Sequence, residues 1–116
     1  MNRKVIEFEA PGNQVLKRIS PMQIFASGTI NYLAAHFELS DTWNGYDECY
    51  AVWHNGKVTK ESSVDADGKT VIPQEVLKSP GVLKVNLCFS KVSSGTIATR
   101  VTSYPVDALE IVRAHF

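Results

Sequence analysis

The 116-residue chain has no surplus of charge: twelve Lys and Arg balance twelve Asp and Glu. That balance leaves no long-range field to draw the protein to nucleic acid or to an anionic membrane. Long hydrophobic runs are missing too, and nothing approaches the length of a helical membrane span. The opening Met1-Asn-Arg-Lys-Val-Ile-Glu-Phe-Glu-Ala10 interleaves acids with its apolar residues, unlike a secretory signal. Glycine-rich phosphate loops and the G-x-S-x-G elbow are absent, which removes the commonest nucleotide and hydrolase signatures.

Cysteine is scarce, with one at 49 and one at 88. In a chain without an export signal both are expected as free thiols. An immunoglobulin-type bridge needs its packed tryptophan on a different strand from the first cysteine, whereas Cys49 and Trp53 share one. Cys88 falls on the polar side of its own alternation and is expected to point away from the core. Histidine is equally sparse. His36 lies on the polar face of a strand, His54 at a hairpin and His115 beside the chain end, with no flanking group to tune any of them as a base. Cys49 and His54 have opposite strand parity and so do not form a zinc pair. Ser63, Asp65, Asp67 and Gly68 echo half of a calcium loop. Its closing position holds Gln74, with Glu75 one residue late, so a β-turn is the better account. No metal, cofactor or catalytic constellation is expected, and the chain does not read as an enzyme.

What is present is strand periodicity. Leu33, Ala35, Phe37 and Leu39 alternate with polar residues, as do Leu83, Val85, Leu87 and Phe89. These positions, with Ile6 and Phe8 near the start, form the expected core. Further strands are read at Lys4 to Glu9, Gln14 to Ile19, Glu48 to His54, Lys57 to Glu61, Lys69 to Ile72 and Thr96 to Thr102. Met22 to Phe25 is a short apolar element. Val106 to Val112 is read as a strand, although Leu109, Val112 and Phe116 also have helical spacing. Asn55-Gly56 is expected to make a type I′ hairpin turn. Pro73-Gln-Glu-Val-Leu-Lys78 suits one short helix, with Pro at its first position and Glu75 at its positive end. The sum is all-β: a single domain over 1–116, an antiparallel Ig-like β-sandwich of seven to nine short strands with one short helix near Pro73 to Lys78.

Trp43, Tyr46, Tyr50 and Trp53 crowd into eleven residues. Exposed aromatics stack on sugars or anchor protein interfaces, while buried ones plug the ends of a small sandwich. Core packing is favoured for Trp43 and Tyr46, and Trp53 stands between the two readings. Thr96 to Thr102 carries a single charge, Arg100, and makes a poorly protected edge. Trp43, Tyr46, Tyr50, Trp53 and Arg100 are therefore the candidate interaction surface.

Three further runs belong together: Phe37-x-Leu-Ser-x-x-Trp43-x-Gly-Tyr46, then Val71-Ile-Pro73-x-Glu-Val-Leu77, then Pro80-Gly-x-Leu-x-Val85. From about Thr29 to Val101 the chain resembles small β-sandwich modules of tailed phages and prophages of Gram-positive bacteria. Such modules serve as head fibres, capsid decoration, or attachment domains of tail fibres and baseplates. The resemblance implies a virion structural protein, made in the bacterial host cytoplasm, that docks on capsid or tail proteins as a homo-oligomer. The alternative is a carbohydrate-binding module that adheres to cell-surface polysaccharide through exposed aromatics.

Overall fold

The computed structural model describes residues 3–12, 14–43 and 45–114. Two sheets face each other across one apolar layer. The first contains β1 (Lys4–Gly12), β2 (Val15–Arg18), β4 (Leu33–Leu39) and β7 (Lys69–Val71), in the order β2-β1-β4-β7. The second runs β3 (Ile24–Ala26), β10 (Val106–Val112), β8 (Gly81–Ser93), β5 (Glu48–Asn55) and β6 (Val58–Ser63), with β9 (Thr96–Thr102) beside the far half of β8. Short 3-10 turns occupy Asp41–Trp43 and Gln74–Leu77, the latter where the helix was expected.

The all-β sandwich expected from the sequence is observed, with ten strands among the described residues rather than seven to nine. It is not purely antiparallel. β1 pairs with β4 and β3 with β10 in parallel, so each sheet is mixed. Alternation in the sequence fixes which face a residue takes but carries no information on strand direction. Val106–Val112 is a strand, as read; His115 and the chain end lie outside the described residues, as do Asn13 and Asn44.

Leu33, Phe37, Leu83, Val85, Leu87 and Phe89 are all buried, together with Ile6 and Phe8. Phe8 stacks on Phe37 across the parallel β1–β4 pair, at 4.9 Å between centroids. Between the sheets, Phe37 meets Trp53 at 6.5 Å.

Two local expectations change. The β5–β6 hairpin pairs Asn55 with Val58, so its two-residue loop is Gly56-Lys57 and not Asn55-Gly56. Only Gly56 has positive φ, at 59°, which is the pattern of a type II′ turn. Asn55 stays in the strand because its side chain is used elsewhere. Its Nδ2 donates to the carbonyls of Val76 and Ser79, tying the 3-10 turn to β5. Gly81, at φ +149°, lets β8 begin against that clamp; a Cβ there would lie 2.7 Å from Asn55 Oδ1. Positive φ at both loop residues occurs instead at Ser94-Gly95, between β8 and β9.

Cys88 takes the outer face as its parity demands, yet it is buried rather than exposed, at 6% of its free surface. It lies inside a strand flanked on both sides, by Tyr50 of β5 and Thr102 of β9. Cys49 is next to it in the register but faces the inter-sheet core, and both thiols are free. Burial, and then the neighbouring Cys88, push the Cys49 thiol up to about 12.

Candidate interaction surface

The aromatic cluster closes one end of the sandwich. The 3-10 turn at Asp41–Trp43 drops the Trp43 indole onto Phe89, 4.1 Å between centroids and 5° between planes. Its Nε1 donates to the Ala10 carbonyl at 3.0 Å, which satisfies the one polar atom of a ring that is only 7% exposed. Tyr46 leans on the same pair, 6.0 Å from Trp43 and 5.8 Å from Phe89. Its outer side is covered by the Lys91 ammonium, 5.1 Å from the ring centre.

Trp53 is fully buried. It is not part of an exposed surface, and neither is Trp43: the core packing favoured for Trp43 is observed, the even choice for Trp53 falls to the core, and both leave the candidate interaction surface. Small Ala51 and Cys49 on its own strand face leave room for the Trp53 ring between the sheets, and Nε1 donates to Ser62 Oγ at 2.9 Å. Tyr50 is half-buried on the outer face of β5 and donates its hydroxyl to Glu48 Oε2 at 2.6 Å. That bond to a carboxylate holds the phenol above its usual range. Arg100 is exposed on β9, across β8 Ser90 in the register. The structure thus gathers Trp43 and Tyr46 at one end of the core, with Trp53 buried between the sheets and Arg100 exposed on β9.

The two described histidines each sit against neighbours on adjacent strands. His36 Nδ1 lies 2.6 Å from Glu7 Oε2 on the outer face of the first sheet, and His54 Nε2 donates to Asn86 Oδ1 at 2.8 Å. The acidic run 65–68 forms the expected turn: the Asp65 carboxylate accepts from the backbone N–H groups of Asp67 and Lys69. Among the described residues no cluster of three or more His, Cys, Asp or Glu is placed to hold a metal ion, and no helix is long and apolar enough to cross a membrane.

The feature that sequence reasoning missed is an arm. β5 stops pairing with β8 at Glu48–Ser90, but β8 runs on to Ser93 with only β9 for a neighbour. Every residue from 91 to 100 is exposed. The result is a two-stranded ribbon leaving the Trp43 end of the sandwich, and the molecule measures 50 × 27 × 26 Å. The root is fastened. Val92 N–H donates to Asp47 Oδ2, Gln14 Nε2 donates to the Thr102 carbonyl, and the Ser103 hydroxyl accepts from Leu87 N–H. The alternation gave no sign of it: the apolar period of Leu83 to Phe89 breaks at Lys91, and Val92 falls out of phase where the β8–β9 register shifts.

No protein-family model matches the chain, and no curated protein matches it. Among solved structures the chain is similar to the N-terminal domain of ORF48 of phage TP901-1. The TM-score is 0.60 at 14% identity, over 96% of this chain and 98% of that one. At that identity the likeness is one of fold.

Proposed function

We propose that this chain is a non-enzymatic structural module of a tailed-phage virion, working by protein–protein docking on capsid or tail components. The observation that carries this reading is the end-to-end fold likeness to a domain of a phage protein, which spans nearly the whole of both chains. The motif resemblance from Thr29 to Val101 points the same way. Physically, the molecule is a closed scaffold with Phe8, Phe37, Trp43, Trp53 and Phe89 turned inward and a β-ribbon turned outward, an arrangement suited to holding neighbours.

Adhesion to polysaccharide is the weaker reading because sugar stacking needs an open ring face. Both indoles lie in the core, and Tyr46 is covered by Lys91. An enzyme is weaker still, since the described histidines are engaged by neighbours on adjacent strands, His36 by Glu7 and His54 by Asn86 and Thr59.

Immunogold labelling of particles from the phage or lysogen that encodes the chain tests the proposal. Regular decoration of head or tail supports it. Unlabelled particles, with the protein left in the lysate, contradict it.

A further inference from the structure

We propose that Asn55 is a self-modification site held silent by its clamp: the folded chain keeps the Asn55 side-chain amide intact, and release of the Pro73–Pro80 segment lets Gly56 convert it, irreversibly, to aspartate or isoaspartate. This chemistry belongs to the chain itself and is independent of what the chain docks on.

An Asn-Gly pair is well suited to the reaction, because glycine has no Cβ to shield its backbone nitrogen from the preceding side chain. The Gly56 nitrogen bonds to Asn55 Cγ, its proton passes to Nδ2, and Nδ2 leaves as ammonia. Solvent water then opens the cyclic imide at either of its carbonyls. The product is aspartate, or isoaspartate with an extra methylene in the backbone, and no oxidant or reductant is consumed.

In the folded chain each requirement is blocked at a named contact. Asn55 is only 7% exposed, which keeps water and base from the amide. Both Nδ2 hydrogens are spent, on the Val76 carbonyl at 2.9 Å and on the Ser79 carbonyl at 2.8 Å. Oδ1 lies so close to Gly81 that a Cβ there would meet it at 2.7 Å. The backbone is held extended by the pairing of Asn55 with Val58. To meet the Gly56 nitrogen, Cγ must swing back over its own backbone, and that swing breaks both hydrogen bonds. The clamp is itself anchored, since Val76 and Leu77 are buried and the Leu77 carbonyl accepts from Gly28 N–H.

Once converted, the clamp does not re-form. A carboxylate has no N–H to give the two carbonyls, and an added methylene shifts the last paired residue of β5 out of register with Val58. Modification therefore records, in one direction, that the Pro73–Pro80 segment has opened.

The test holds the full chain in mildly alkaline buffer, folded or in guanidinium, and samples it over days. Cleavage after Glu48 and Glu61 isolates residues 49–61 from the other Asn-Gly pair, Asn44-Gly45, and mass spectrometry scores replacement of NH by O. Asn55 should convert at least about tenfold more slowly in the folded chain, the factor that two broken hydrogen bonds impose on opening. Val76→Ala loosens the turn without touching Asn55 and should speed conversion in the folded chain. Phe89→Leu, at the Trp43 end, lowers global stability without loosening the turn and should speed it less for the same loss of guanidinium midpoint. A variant whose far-ultraviolet spectrum departs from the parent is set aside, and the folded-to-unfolded ratio of the parent then decides. Equal rates in folded and unfolded chain overturn the proposal. So does equal acceleration by Val76→Ala and Phe89→Leu at matched midpoints, which would put the protection in the fold as a whole and not in the clamp.

Discussion

Trp43 and Phe89 stack face to face, 4.1 Å apart, and the Trp43 N–H is taken up by the Ala10 carbonyl of the opposite sheet. One side chain therefore joins the two sheets at the end from which the arm departs. Replacing it with Ala removes the stack, the hydrogen bond and the plug together. Trp43→Ala should cost about 3 to 5 kcal/mol, read from urea or guanidinium midpoints. A loss under about 1 kcal/mol would mean that the ring is a surface group.

The burial of both tryptophans also has an optical consequence. Acrylamide should quench native fluorescence much less than that of the unfolded chain, and cell-wall polysaccharide should leave the emission unchanged. A polysaccharide-dependent shift would revive adhesion as the function.

Asn55 is the residue whose role its sequence context concealed. Next to Gly56 it reads as a turn former, but the structure spends its amide on two carbonyls of the Pro73–Pro80 segment. Asn55→Ala should destabilise by about 1 to 3 kcal/mol, because the buried Val76 carbonyl and the part-buried Ser79 carbonyl lose their donor. Asn55→Asp should be at least as costly, since it sets a carboxylate against those acceptors. Equal stability of all three proteins would refute the clamp.

Cys49 gives a pH signature. Its folded value, pushed up to about 12, lies above the ordinary value of 9.0. The unfolded chain therefore releases this proton first. The stability linked to the thiol is complete below about pH 9 and falls as pH rises toward and through 12. Alkylation by iodoacetamide at pH 8 should be slow in the native protein, and two thiols should react once it is unfolded without reductant. Finding no reactive thiol, with a mass two hydrogens low, would show a disulfide.

The strands and the inward faces were legible because period-two alternation is a local property. Leu33 and Phe37, or Leu83 through Phe89, declare their side without reference to the rest of the chain. Partnering is not local. Nothing in Lys4–Gly12 says that it runs parallel to Leu33–Leu39, and nothing around Cys88 says that the strands on both sides will shut it from water. The aromatic cluster was visible as a cluster, but whether Trp53 faced the core depended on the small residues at 49 and 51 leaving space beneath it. The arm depended on where β5 ends relative to β8, a comparison between two strands that neither segment contains by itself.

The claim that the chain is a virion component is tested most directly by counting it in particles. Gradient-purified virions, digested and quantified by peptide mass spectrometry against the major capsid protein, should contain it at a fixed ratio that persists through repeated banding. A ratio that falls toward zero with each gradient, while the protein stays with host cell-wall material, would contradict the account.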